Sequence, residues 1–180
     1  RDLLRLARSD TRNRTGSRST VTSTRPDPHV LAWAEARCHK LYSGEELAHR
    51  SCGVAMAETF GRDPRSYQAL RRGGLTGTGT CGALQGGLLV LGEVFGSSSI
   101  TAPATPDLVR AAARYQDLTN AWFGHGRSTV CNDLTSEFAD FRSPERHQWC
   151  TEIASSMARI VATVICELGG SVEQLPEPQS

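Results

Sequence analysis

Three times in this chain a capping residue stands directly before proline and a run of helical periodicity: Asp27-Pro28, Thr105-Pro106-Asp107 and Ser143-Pro144-Glu145. A side-chain oxygen at such a position accepts from the free N–H groups of the first helical turn, and proline has its φ preset for the place that follows. Each pair therefore marks where a helix begins. After Asp27, the residues Val30, Leu31, Ala34, Cys38 and Leu41 recur at helical spacing. After Ser143, an apolar line of Trp149, Ile153, Met157, Ile160, Val164 and Leu168 runs to Gly169-Gly170, with Cys150 and Ala154 on the neighbouring stripe.

Other elements fill the space between these starts. Ser43-Gly44-Glu45-Glu46 reads as a capping box that opens a second helix, running to Phe60 and stopping at Gly61. Cys52 then falls mid-helix, with Ala48, Ala55 and Met56 on its face. A short helix is expected over Pro64 to Arg72 and a longer one from Cys81 to about Phe95. The Thr105 helix ends near Gly124, and Cys131 lies in one or two helical turns. No alternating strand pattern stands out. The expected architecture is all-α: a single bundle of about six helices over residues 28–170, an arginine-rich N-terminal arm over 1–27, and a C-terminal tail over 171–180.

Length and charge narrow the function. A chain of 180 residues suits one well-buried domain. A net charge of +1 gives no broad electrostatic case for nucleic acid or an anionic membrane. No run approaches the ~18 apolar residues of a membrane span. The longest candidate, Gly86 to Phe95, carries Glu93 and three glycines and reads as a core helix, so no transmembrane segment is expected. Seven arginines lie between Arg1 and Pro28 among polar residues, a composition that does not bury a core by itself. Arg1 to Arg25 is therefore a candidate docking arm for a redox partner or a larger assembly. The chain opens on Arg1 and not on methionine, so an upstream segment is expected.

The chemistry lies in the six cysteines. Cys81 stands where the glycine-rich run Gly73-Gly74-Leu75-Thr76-Gly77-Thr78-Gly79-Thr80 becomes an apolar helix. The unpaired N–H groups of a helix start favour a thiolate there. Gly82 and Gly86 share one face of that helix and would let another backbone approach. Cys52, Cys131 and Cys150 lie far from Cys81 in sequence. No pair has C-x-x-C spacing, so neither a thioredoxin-type motif nor a zinc ribbon is present. On spacing alone the four could equally be buried small hydrophobes. If gathered, they would need a metal or disulfides to relieve thiolate repulsion. The count leaves the compartment open between a bacterial cytoplasm and periplasm.

The run Cys81-Gly82-Ala83-Leu84-Gln85-Gly86, followed by Gly-Leu-Leu-Val-Leu-Gly, resembles the central motif of the C-GCAxxG-C-C family of redox-active proteins. That family has one cysteine before the motif and two after it. Cys52 in Ser51-Cys52-Gly53-Val54-Ala55 matches the first, Cys131 before Asn132-Asp133-Leu134 resembles the third, and Cys150 the fourth. The match runs roughly from Leu41 to Leu168. The resemblance implies a mostly helical domain with a four-cysteine redox or metal centre. A related domain of split-Soret cytochromes accompanies a non-haem iron–sulfur cluster, which makes Cys52, Cys81, Cys131 and Cys150 candidate cluster ligands. This chain departs from shorter members by its arginine-rich leader, by the insert Ser97 to Pro103, and by Cys38 and Cys166. These last two read as buried thiols, with a bridge between them left open.

Weaker candidates fall away. Gly77-Thr78-Gly79-Thr80-Cys81-Gly82 matches G-x-G-x-x-G, but nothing strand-like precedes it and no Walker-type lysine follows, so no nucleotide is expected. Cys38-His39 has Glu35 where a c-type haem needs its second cysteine, so no haem is expected. His147 lies one turn from Cys150 and His125 near Cys131, and both read as surface histidines ahead of ligands. Three functions remain: electron transfer through an iron–sulfur cluster; dithiol/disulfide exchange, with Cys81 attacking and Cys52 its partner; and an accessory subunit whose cysteines are static bridges.

Overall fold

The computed structural model describes residues 25–176. Seven α-helical segments carry the fold: α1 (Pro28–Ser43), α2 (Cys52–Thr59), α3 (Arg71–Gly74), α4 (Gly82–Phe95), α5 (Pro106–Phe123), α6 (Cys131–Leu134) and α7 (Pro144–Glu167). A 3-10 turn over Ser66–Leu70 precedes α3, and α3 and α6 are single turns. Among the described residues there are no strands, only an isolated antiparallel bridge between Thr80 and Val130. The chain is thus all-α. The arginine-rich arm lies almost wholly outside the described residues.

All three proline-marked starts are capped. Asp27 accepts from the His29 N–H at 2.9 Å, Thr105 Oγ1 from Leu108 at 3.0 Å and Ser143 Oγ from Arg146 at 3.2 Å. Each such cap is worth about 1 kcal/mol. Helix α7 is the hub, packing on α1, α2, α4 and α5. Its buried stripe includes Ile153, Met157, Val161 and Val164, which meets Leu41 of α1, Met56 of α2 and Leu91 of α4 in one continuous core. Full burial of each such side chain contributes about 1.5–3 kcal/mol. By length and composition α7 could also cross a membrane, which the search for apolar runs missed; 56% of its most apolar stretch is buried inside the domain, as in a core helix.

One segment differs from expectation in a way that matters for the site. Ser43-Gly44 ends α1 and does not open α2. Gly44 adopts φ 77, the left-handed stop that favours glycine, and residues 45–51 form a non-helical connection. The imidazole Nδ1–H of His49 donates to the carbonyl of Tyr42, and the Arg50 N–H donates to that of Leu41 at 2.8 Å, so the connection satisfies carbonyls in the last turn of α1. Helix α2 starts only at Cys52. The cysteine expected mid-helix therefore stands at a helix N-terminus.

Candidate functional site

The displacement of α2 gives three of the four motif cysteines the same local setting. Cys52 is the first residue of α2, Cys81 the N-cap of α4 and Cys131 the first residue of α6. Cys150 projects from the second turn of α7. All four line one cavity of about 350 Å³, together with Tyr42, His49, Ser51, Phe141 and three arginines, Arg71, Arg72 and Arg146. Among the described residues no carboxylate lines it.

Glycines bring these elements close. The sequence expectation for Gly82 and Gly86 holds: a Cβ on Gly86 would meet Met56 Cβ at 3.2 Å, and one on Gly82 would meet Cys52 Sγ at 2.6 Å. The glycine-rich run serves as a clamp. Its carbonyls at Gly79 and Gly77 accept from the N–H groups of Cys131 and Asn132 at 2.9 and 2.8 Å, and the Cys81 N–H donates to Thr129 at 2.8 Å. This lacing fixes Cys81 and Cys131 relative to each other. The loop's own amides bond internally as well, those of Gly77 and Gly79 donating to the carbonyls of Arg72 and Gly73 at 2.8 and 3.1 Å.

Burial dominates the electrostatics. The Cys81 thiol is 9% exposed, and burial pushes its pKa far above the ordinary value although the backbone amides of Ala83 and Leu84 favour the thiolate. Cys81 is therefore not the free thiolate that its helix-start position predicts: the helix-start amides are present but desolvation outweighs them. Burial also raises Cys52, and it raises Cys131 to about 11, with Arg72 and Arg146 pulling the latter back down. The Tyr42 phenol is pushed up by burial and by the Cys150 and Cys52 thiols beside it. His49 is lowered, chiefly by burial.

The remaining expectations find separate places. All six cysteines are free thiols. Cys38 is fully buried in the core, donates to the Ala154 carbonyl at 3.4 Å, and is raised by burial to about 12. Cys166 lies at the far end of α7, half-buried, and the bridge to Cys38 is not formed. His147 stacks on Tyr42 and shares a hydrogen bond with the Ser43 carbonyl at 2.8 Å, a packing role that ties α7 to the end of α1. His125 is exposed in the loop after α5.

Does the cavity suit an iron–sulfur cluster? Its donor set is four thiols, the usual cluster ligands. Ser51 Oγ is buried without a hydrogen-bond partner, and although Ser51 is the N-cap of α2 its side chain makes no capping bond, unlike Asp27, Thr105 and Ser143. Ser51 is one of the residues that line the cavity. Among the described residues, no three His, Cys, Asp or Glu side chains are gathered tightly enough to hold a single metal ion. The thiols instead stand around a space with a carboxylate-free, cationic rim. These residues fit a bulky anionic group better than one small cation.

Fold and site together define a class: a helical domain with four cysteines, from four separate elements, walling one cavity. The chain belongs to the family described as "Putative redox-active protein (C_GCAxxG_C_C)", which matches residues 50–164. No curated protein and no solved structure matches it. Sequence reasoning missed Tyr42, Ser51, Arg71, Arg72 and Arg146. Only Ser51, beside Cys52, and Arg71 and Arg72, leading into the glycine run, carried any positional hint.

Proposed function

We propose that this protein carries electrons through an iron–sulfur cluster ligated by Cys52, Cys81, Cys131 and Cys150. The carrying observation is that four cysteines distant in sequence wall a single cavity. Bound there, a cluster supplies one-electron exchange at a fixed site. The chain's own residues would hold and tune it. The amides of Ala83 and Leu84 lie at Cys81, Ser51 lines the cavity beside Cys52, and Arg72 and Arg146 offset the negative charge of thiolates. A multi-iron group, whose thiolate ligands sit on separate irons, would suit four cysteines that line one cavity without converging on a single point.

Thiol–disulfide exchange led by Cys81 is less well supported, because an attacking thiol must be accessible and ionised, and Cys81 is buried with a raised pKa. A static disulfide scaffold draws no support from six free thiols. The test is purification without oxygen. Iron and acid-labile sulfide in equal amounts, with visible absorbance bleached by dithionite, is the expected result. A colourless, iron-free protein that also fails anaerobic reconstitution with iron and sulfide would refute it.

A further inference from the structure

Around the mouth of the cavity stand Arg71, Arg72 and Arg146, and among the described residues none of them has a carboxylate partner. Several other arginines are paired with carboxylates: Arg50 with Glu58, Arg114 with Glu167, Arg159 with Glu35. At the mouth, the guanidinium groups of Arg72 and Arg146 lie over the Phe141 ring at 4.7 and 4.1 Å, and Arg146 Nε donates to the Phe141 carbonyl at 2.5 Å. Arg71, Arg72 and Phe141 are exposed. Arg72 also has φ 50, a left-handed backbone that is unusual for a non-glycine residue. Unpaired guanidinium groups, an exposed aromatic and a costly backbone conformation thus coincide at one rim.

The local charge contrasts with the whole chain, whose net charge is only +1. A cationic collar with no acidic residue among the described residues that line it attracts negative charge, and it does so beside the thiols. We infer that this rim is the docking point for the acidic face of an electron-exchange partner, with Phe141 as the apolar contact and the three arginines selecting negative charge. The inference rests on the redox reading above. Arginine suits it because its planar fork binds carboxylates in pairs, and because such complementarity speeds encounter and is weakened by salt.

Two small oxidants of opposite charge probe the rim without the partner in hand. The anaerobic protein is reduced with dithionite, excess reductant is removed, and oxidation by ferricyanide or by hexaammineruthenium(III) is followed in stopped flow at rising salt. Each event moves one electron from the reduced centre to the oxidant, giving ferrocyanide or hexaammineruthenium(II), with no bond made or broken. Ferricyanide oxidation is expected to slow several-fold as salt rises, and oxidation by the ruthenium complex to quicken. Arg72→Gln with Arg146→Gln should flatten both trends, whereas Arg72→Lys with Arg146→Lys should preserve them. The sign of the salt effect is independent of the different driving forces of the two oxidants. Matching salt trends for both oxidants in the wild type, or unchanged opposing trends in the glutamine variant, would overturn the docking inference while leaving the redox reading standing. No electron transfer to either oxidant would overturn both.

Discussion

A side chain on residue 82 would stand 2.6 Å from the sulfur of Cys52, and closer still to the carbonyl oxygen of Leu70. Gly82 is thus the gap that lets the start of α2 meet the start of α4, with two cysteines side by side. Gly82→Ala must push one of them away. We expect it to cost about 1–3 kcal/mol in urea unfolding, as overpacking does, and to lower bound iron sharply. Wild-type iron content in this variant would contradict the placement of Cys52.

Two neighbouring glycines separate steric effects from backbone strain. Gly73 and Gly74 both have positive φ, at 56 and 73. A Cβ on Gly73 would meet Cys131 Cβ at 2.8 Å and clash with the Gly79 carbonyl, whereas one on Gly74 meets nothing within 4 Å. Alanine at either position incurs left-handed strain of about 1–2 kcal/mol. Only Gly73→Ala should also displace Cys131, so iron binding is predicted to fall in that variant and persist in Gly74→Ala.

Two N-caps should behave in opposite ways. Thr105 caps α5 through Oγ1, while Ser51 leaves its hydroxyl unpartnered beside the cysteines. Thr105→Ala is expected to cost about 1 kcal/mol of stability and to leave the reduction potential unchanged. Ser51→Ala should leave stability within about 0.5 kcal/mol and lower the potential, because a donor that stabilises the more negative, reduced state is removed. Redox titration and thermal melting of the two variants give both readouts.

Alkali should weaken the metal-free protein. Burial raises Cys38 and Cys131 to about 12 and 11 from an ordinary 9.0, and raises Cys52 and Cys81 as well. The folded state therefore keeps protons that the unfolded chain releases. Stability is fully present below about pH 9 and declines as pH rises through the folded pKa values. Denaturant midpoints should hold up to about pH 9 and fall between about pH 9 and about pH 11, and a variant with Cys52, Cys81 and Cys131 changed to alanine should lose much of that slope. A flat profile would refute the assigned burial.

Local signals in the sequence located most of the helices. Asp27, Thr105 and Ser143 each announced a helix through a cap and a proline that act within one turn, and the structure uses all three. Ser43-Gly44-Glu45-Glu46 misled because serine and glycine serve either end of a helix, and the choice depends on the tertiary fit of His49 and Tyr42. The Cys81 helix start was legible, but its protonation was not, since burial is a property of the whole fold. The arginine rim was invisible for the same reason: Arg71, Arg72 and Arg146 meet only when α3 and α7 pack around the cavity.

Four of the six cysteines wall the cavity, and Cys38 and Cys166 stand outside it. The most direct measurement of that division is iron bound per folded chain, after anaerobic reconstitution, in six single Cys→Ala variants. Loss of most bound iron is predicted for Cys52, Cys81, Cys131 and Cys150, with wild-type content retained for Cys38 and Cys166. Full iron in any of the first four variants, or loss in either of the last two while still folded, would contradict the account.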